Sequence, residues 1–117
     1  MRNDKKNIIV ELSVEFALRI ITFSEELEAK RKFDLSRQIF RSGTSIGANI
    51  REAQNAESKA DFIHKMKIAA KEADETDYWL ELCRRSENYP NAPELEIKIE
   101  EIIKILSKII STAKNRN

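Results

Sequence analysis

Three arginines, Arg37, Arg41 and Arg51, fall within an arc of roughly 80° when residues 33–57 (FDLSRQIFRSGTSIGANIREAQNAE) are wound as an α-helix. Only Thr44 and Ala48 lie between them. Guanidinium groups take phosphate oxygens in pairs, so such a face could follow a nucleic-acid backbone. It could equally be a solvated or ion-paired surface. Lys32 and Lys59, beyond the two ends of the helix, are further cations that could assist. Other candidates for chemistry are weaker. His64 has no second His or Cys near it and reads as a surface histidine. Cys83, beside Leu80 and Leu82, reads as a buried thiol, since a nucleophile would need a base and an electropositive pocket. Glu72 and Glu75 suggest a carboxylate-bridged metal site, but the Glu-x-x-His pair of di-iron bundles is missing. One His and one Cys do not make a structural zinc site. The run Ser42-Gly43-Thr44-Ser45-Ile46-Gly47 is rich in glycine and hydroxyls, yet it does not match GxxxxGK[ST] and follows no strand. No catalytic constellation, cofactor motif or metal set is recognisable, and the chain reads as a non-enzyme.

The helix that carries the arginines has two other faces. Leu35, Ile39, Ile46, Ile50 and Ala53 form its core side. Ser36, Gly43 and Gly47 form a strip where missing bulk lets another backbone approach. Two glycines inside a helix cost about 1 kcal/mol each relative to alanine, so close packing must offset them, unless the chain kinks at Ser42–Gly43. Asp34 or Ser36 can cap the start. Asn49, at the border of the core face, can bond across helices or to a neighbouring backbone and so fix register.

The elements around this helix follow from composition and period. The chain has 117 residues, the length of one domain (1–117), with only two glycines and two prolines, Pro90 and Pro93. So few breakers argue for long helices. Helix one is predicted from Asn7 to Lys30, with Ile9, Leu12, Phe16, Ile20, Phe23 and Leu27 as its core stripe and Val10, Val14, Ala17, Leu18 and Ile21 on another side. Helix two runs from Asp34 to Asn55. Helix three runs from Lys59 to Arg85, capped by Ser58 with Asp61 in a near capping box. Its stripe is Phe62, Met66, Ala69, Ala73, Thr76, Leu80 and Cys83, and Ala69, Ala70 and Ala73 would suit the glycine strip of helix two. Helix four runs from Pro93 to Ala113, with Pro93 in its first turn. Residues 1–6 and the last four residues are polar and read as loose. The whole is an all-α, up-down-up-down four-helix bundle. Helices one and four carry more apolar surface than such a core absorbs, which predicts a homo-oligomer.

Net charge is +1, from 21 basic and 20 acidic residues, so no global field demands nucleic acid. Residues 31–57 carry a net of +2, and residues 58–87, with six basic and seven acidic, are nearly neutral. A ring of copies would multiply the helix-two charge. A single cysteine fits a reducing compartment. The start of the chain lacks the apolar region of a signal peptide, and no long uncharged run could span a membrane. A cytoplasmic protein without a membrane or small-molecule partner is expected.

The run LSRQIFRSGTSIGANIREAQ, followed by SKADFIHKMKIAAKEADETDYWLELC, resembles the 23S ribosomal RNA intervening sequence proteins. These are similar to the accessory variability protein of diversity-generating retroelements. The resemblance lies in Leu35, Gln38, Ile39, Arg41, Ser42, Ser45, Ile46, Ala48, Asn49, Ile50 and Glu52. Phe62, Ile68–Ala70, Glu72, Glu75 and Tyr78–Leu80 extend it. Gly47 and Ala53 depart from it, where many relatives have Pro and a nearby Gly. The resemblance implies a bundle assembled as a ring-like homopentamer, with nucleic acid bound through a basic surface in the retroelement relatives and no enzymatic activity. Two functions are therefore expected to compete. One is RNA or RNA–protein binding through Arg37, Arg41 and Arg51; the other is a protein-interaction scaffold. Steep weakening with salt would mark the first.

Overall fold

The computed structural model describes residues 7–116, which form four α-helices: α1 (Ile8–Ala29), α2 (Phe33–Gln54), α3 (Lys59–Arg85) and α4 (Pro93–Lys114). The spans read from the sequence agree to within one residue at each end. Residues 1–6 and Asn117 lie outside the described residues, as does the expectation of a loose N-terminal stretch.

Short connections set the topology. After α1 the Lys32 N–H donates to the Leu27 carbonyl and the Arg31 N–H to that of Glu28, both at 2.8 Å, with Arg31 at φ 65°. This is a Schellman turn with arginine where glycine is usual, and it folds α2 straight back along α1. Neither Asp34 nor Ser36 caps α2, contrary to the sequence expectation. Lys32 occupies the cap position, Asp34 pairs with Arg37, and the Ser36 hydroxyl donates across to the Ser24 carbonyl at 2.9 Å. Ser36 sits a full turn inside the helix, facing α1, so its hydroxyl meets a neighbour's carbonyl instead of a free N–H. Ser58 does cap α3, accepting from the Asp61 N–H at 3.0 Å, while the Asp61 carboxylate accepts from the Glu57 N–H at 3.3 Å. Pro93 opens α4 in its first turn.

The helix backbones adjoin in the order α1–α2, α2–α3, α3–α4 and α4–α1, and among the described residues no diagonal pair of backbones comes as close. That is an up-down-up-down bundle, about 50 × 21 × 20 Å. Ile20, Leu27, Ile39, Ile46, Ile50, Met66, Leu80, Ile99, Ile102 and Leu106 meet in its fully buried centre.

α2 is continuous through Ser42 and Gly43, without a kink. Its small strip packs on α1, not on the alanines of α3. A Cβ on Gly43 would stand 2.8 Å from two carbons of Ile20, and one on Gly47 would stand 3.2 Å from Ser13 Oγ. Ala69 and Ala73 are buried in the core instead. The physical reason is rotation about the α2 axis. The strip lies clockwise of the core face and Ser42 lies on the other side of it, so each side meets a different neighbour.

Candidate functional site

Arg41 reaches from α2 to α3, where its guanidinium bonds to Glu72 at 3.2 Å and also to Glu75. The Trp79 indole N–H donates to the same Glu75 carboxylate at 3.1 Å. The hydrogen bond from Arg41 is the main reason the Glu75 carboxyl is held below the usual range, and the bond to Glu75 in turn raises the Arg41 guanidinium. Beneath this clamp the buried Thr76 hydroxyl donates to Ser42 Oγ at 2.8 Å. One turn on, Ser45 Oγ donates to the Arg41 carbonyl at 2.6 Å and the Asn49 amide to the Ser45 carbonyl at 2.9 Å. Asn49 therefore bonds within its own helix and not across the bundle. Glu52 closes the seam with Lys65 of α3 at 2.7 Å. Gln38 stands exposed at the edge of the α1–α2 cleft. Within the polar motif of α2, Ser42 and Glu52 hold α3, while Ser45 and Asn49 bond back to their own helix.

The five candidate cations do not converge. Arg37 is exposed and paired with Asp34 one turn back. Arg41 is engaged by α3. Arg51 is exposed and has no ion pair among the described residues. Lys32 lies over the Tyr89 ring at 4.5 Å from its centre. Lys59 opens α3 at the opposite end of the bundle from Lys32, the length of α2 or roughly 33 Å away.

Between α1 and α2 runs a strip that sequence reasoning saw only from the α1 side. Val14, Ala17, Leu18 and Ile21 of α1 and Phe40, Thr44 and Ala48 of α2 line two adjoining clefts of about 620 and 450 Å³. Leu18 is 60% exposed and Phe40 47%. Glu25, Glu28 and Arg37 border one end, and Arg51 the other. Phe40 follows the core residue Ile39 and precedes Arg41 in the sequence, so it does not stand out as part of a separate apolar face.

Among the described residues no three His, Cys, Asp or Glu side chains gather to hold a metal ion. His64 is exposed. Cys83 is buried, and burial pushes its thiol up to about 11. A thiol held neutral in this way is inert. No helix among the described residues is long and apolar enough to cross a membrane.

The sequence matches the model of the 23S rRNA-intervening sequence protein family over residues 5–108. The chain belongs to that family. It is also similar to a protein with unknown function from the S23 ribosomal protein family of Bacteroides thetaiotaomicron. The two share 50% identity over 87% of this chain and 97% of that chain, with a TM-score of 0.81. No curated protein matches. In this member of the 23S rRNA-intervening sequence family, the Ser42, Ser45, Asn49 and Glu52 motif lies along the α2–α3 seam, on the flank of α2 away from its exposed apolar strip.

Proposed function

We propose that this chain is a non-enzymatic, cytoplasmic scaffold that assembles with copies of itself and holds RNA on exposed cations. The observation that carries the assembly is the uncovered strip of Leu18, Phe40 and their neighbours. A monomer has little reason to leave contiguous apolar side chains on two adjacent helices in water. Both charge signs stand at the margins of the strip, Glu25 and Glu28 with Arg37 and Arg51, so another copy can match it in charge as well as in apolar surface. A ring closes where the strip meets a different face of the next copy, and the family resemblance suggests five members. The basic, nucleic-acid-binding surface that the resemblance implies for the retroelement relatives supports RNA as the bound partner, and Arg37 and Arg51 are among the exposed cations.

A protein-interaction scaffold is the second reading. It is favoured by one observation, the engagement of Arg41 by Glu72 and Glu75, which removes the centre of the arginine face. Light scattering coupled to size exclusion, with and without a structured RNA hairpin, separates the two. An oligomer that shifts with RNA at low salt and releases it at higher salt supports RNA binding. An oligomer indifferent to RNA leaves the protein scaffold. A monomer overturns the assembly.

A further inference from the structure

The charges of α3 and α4 are sorted along their length. Residues 59–71 and 102–116 together hold eight lysines and arginines against one acid, Asp61, a net of +7. The rest of the two helices, residues 72–85 and 93–101, holds three cations and nine carboxylates, a net of −6. The two helices run antiparallel and in contact, so the basic stretches gather at one end of the bundle. Lys67 and Lys114 approach closely enough that the second ammonium holds the first below the usual lysine range. Lys108 and Arg116 share a cleft with Phe62. Lys71 stands one turn beyond Lys67, and Lys104 one turn before Lys108. All six cations are exposed.

The two ends differ in how their charge is met. At the acidic end Glu72 and Glu75 are answered by Arg41, Glu81 by Arg85, Glu96 by Arg84, Glu101 by Lys98 and Glu94 by Arg19, while Asp74, Asp77 and Glu100 have no ion pair among the described residues. At the basic end only Lys65 has an ion pair among the described residues, with Glu52. The dipole of α4 favours a cation in its last turn, which accounts for Lys114. It does not account for Lys67, Lys71, Lys104 or Lys108. Cations crowded without acids repel one another and add nothing to the fold. Their counter-charge comes from ions in solution or from another molecule.

We infer that the lysine-rich end of α3 and α4 is the surface on which the phosphate backbone of RNA lies, an inference that rests on the RNA-binding reading above. The arginines of α2 are drawn into an ion pair, a clamp and the margin of the assembly strip, whereas these cations are exposed around one end of the bundle, Lys67 beside Lys114 and Lys108 beside Arg116. Lys104 to Arg116 extends roughly 18 Å along α4. A double helix carries a phosphate on each strand every few ångströms of axis, so that length meets several phosphates of the strand that faces it. Lysine is a mobile point charge, suited to backbone contacts that do not read bases.

Fluorescence anisotropy of a labelled RNA hairpin tests this with the full chain, K67E/K114E and R37E/R51E, at about 50 and 200 mM salt. K67E/K114E is expected to bind at least about tenfold more weakly, with a log–log salt slope smaller by about two, while circular dichroism and mass by light scattering stay unchanged. K67Q/K114Q, which adds no acids, should show the same change in slope. Wild-type affinity in K67E/K114E together with loss in R37E/R51E would overturn this surface and leave RNA binding standing. No binding by the wild-type chain at low salt would overturn both. Loss of self-association in K67E/K114E would mean that the lysines answer the acidic end of another copy, and the inference would fall.

Discussion

Arg37 and Arg41 stand one turn apart on α2, yet only Arg41 bridges two helices. Its bidentate contact with Glu72 and Glu75, shared with Trp79, is a network of charged groups that are partly shielded from water. Arg41→Gln is expected to lower unfolding stability by about 1 kcal/mol. Arg37→Gln, whose only described partner is an exposed Asp34, should stay within about 0.5 kcal/mol of wild type by urea titration. Asp77 behaves in the opposite sense to Glu75. Burial, followed by Glu100 and Glu96 of α4 and Glu81 and Asp74 of its own helix, raises its carboxyl above the usual range, despite Arg84 nearby. The folded chain therefore takes up this proton more readily than the unfolded one. The favourable contribution is present below the ordinary aspartate range and is lost as pH rises through the elevated value. Asp77→Asn should raise the melting temperature at pH 7 and have little effect near pH 3, as measured by scanning calorimetry at both.

At the scale of the element, α2 is defined by what its glycines touch. Gly43→Ala would place a methyl against the β-branched carbons of Ile20, which is fully buried and cannot move aside. The overpacking of about 1–3 kcal/mol outweighs the helix-propensity gain of about 1 kcal/mol, so net destabilisation is expected. Gly47→Ala meets only Ser13, its Oγ at 3.2 Å and its Cβ at 3.4 Å, a mild crowding that a shift of a few tenths of an ångström relieves, and should be neutral or stabilising by up to about 1 kcal/mol. Denaturant midpoints of the two variants moving together would contradict this account of the α1–α2 contact. The helix spans themselves were legible because apolar residues recur every three or four positions. The partner of the glycine strip was not. Periodicity says which side of a helix is small, but it does not say which neighbour will be packed there.

For the whole molecule, assembly turns on the α1–α2 strip. L18E/F40E should yield a monomer by light scattering with wild-type helical content by circular dichroism, because burying those two carboxylates unpaired in a contact would cost several kcal/mol each. Persistence of the wild-type mass would place the subunit contact elsewhere, with exposed Ile97 of α4 the next apolar side chain to examine. The sorted charges of α3 and α4 also emerge only at this scale. Residues 58–87 sum to nearly zero, yet Lys71 divides a basic half from an acidic one. Two antiparallel helices then align their like halves.

By itself the sequence determined the number of helices, their ends, the core stripes and the seat of the polar motif in α2. Each of these depends on neighbours a few residues apart along one chain, where helical period, caps and breakers act. Only the tertiary structure decided that Arg41 serves α3, that the glycines serve α1, and that the lysines of α3 and α4 share one end. Arg41 lies 31 and 34 residues from its two carboxylates. Over such separations the partner is chosen by the rotation of one helix against the next, which the packing of the assembled core sets and no local pattern records.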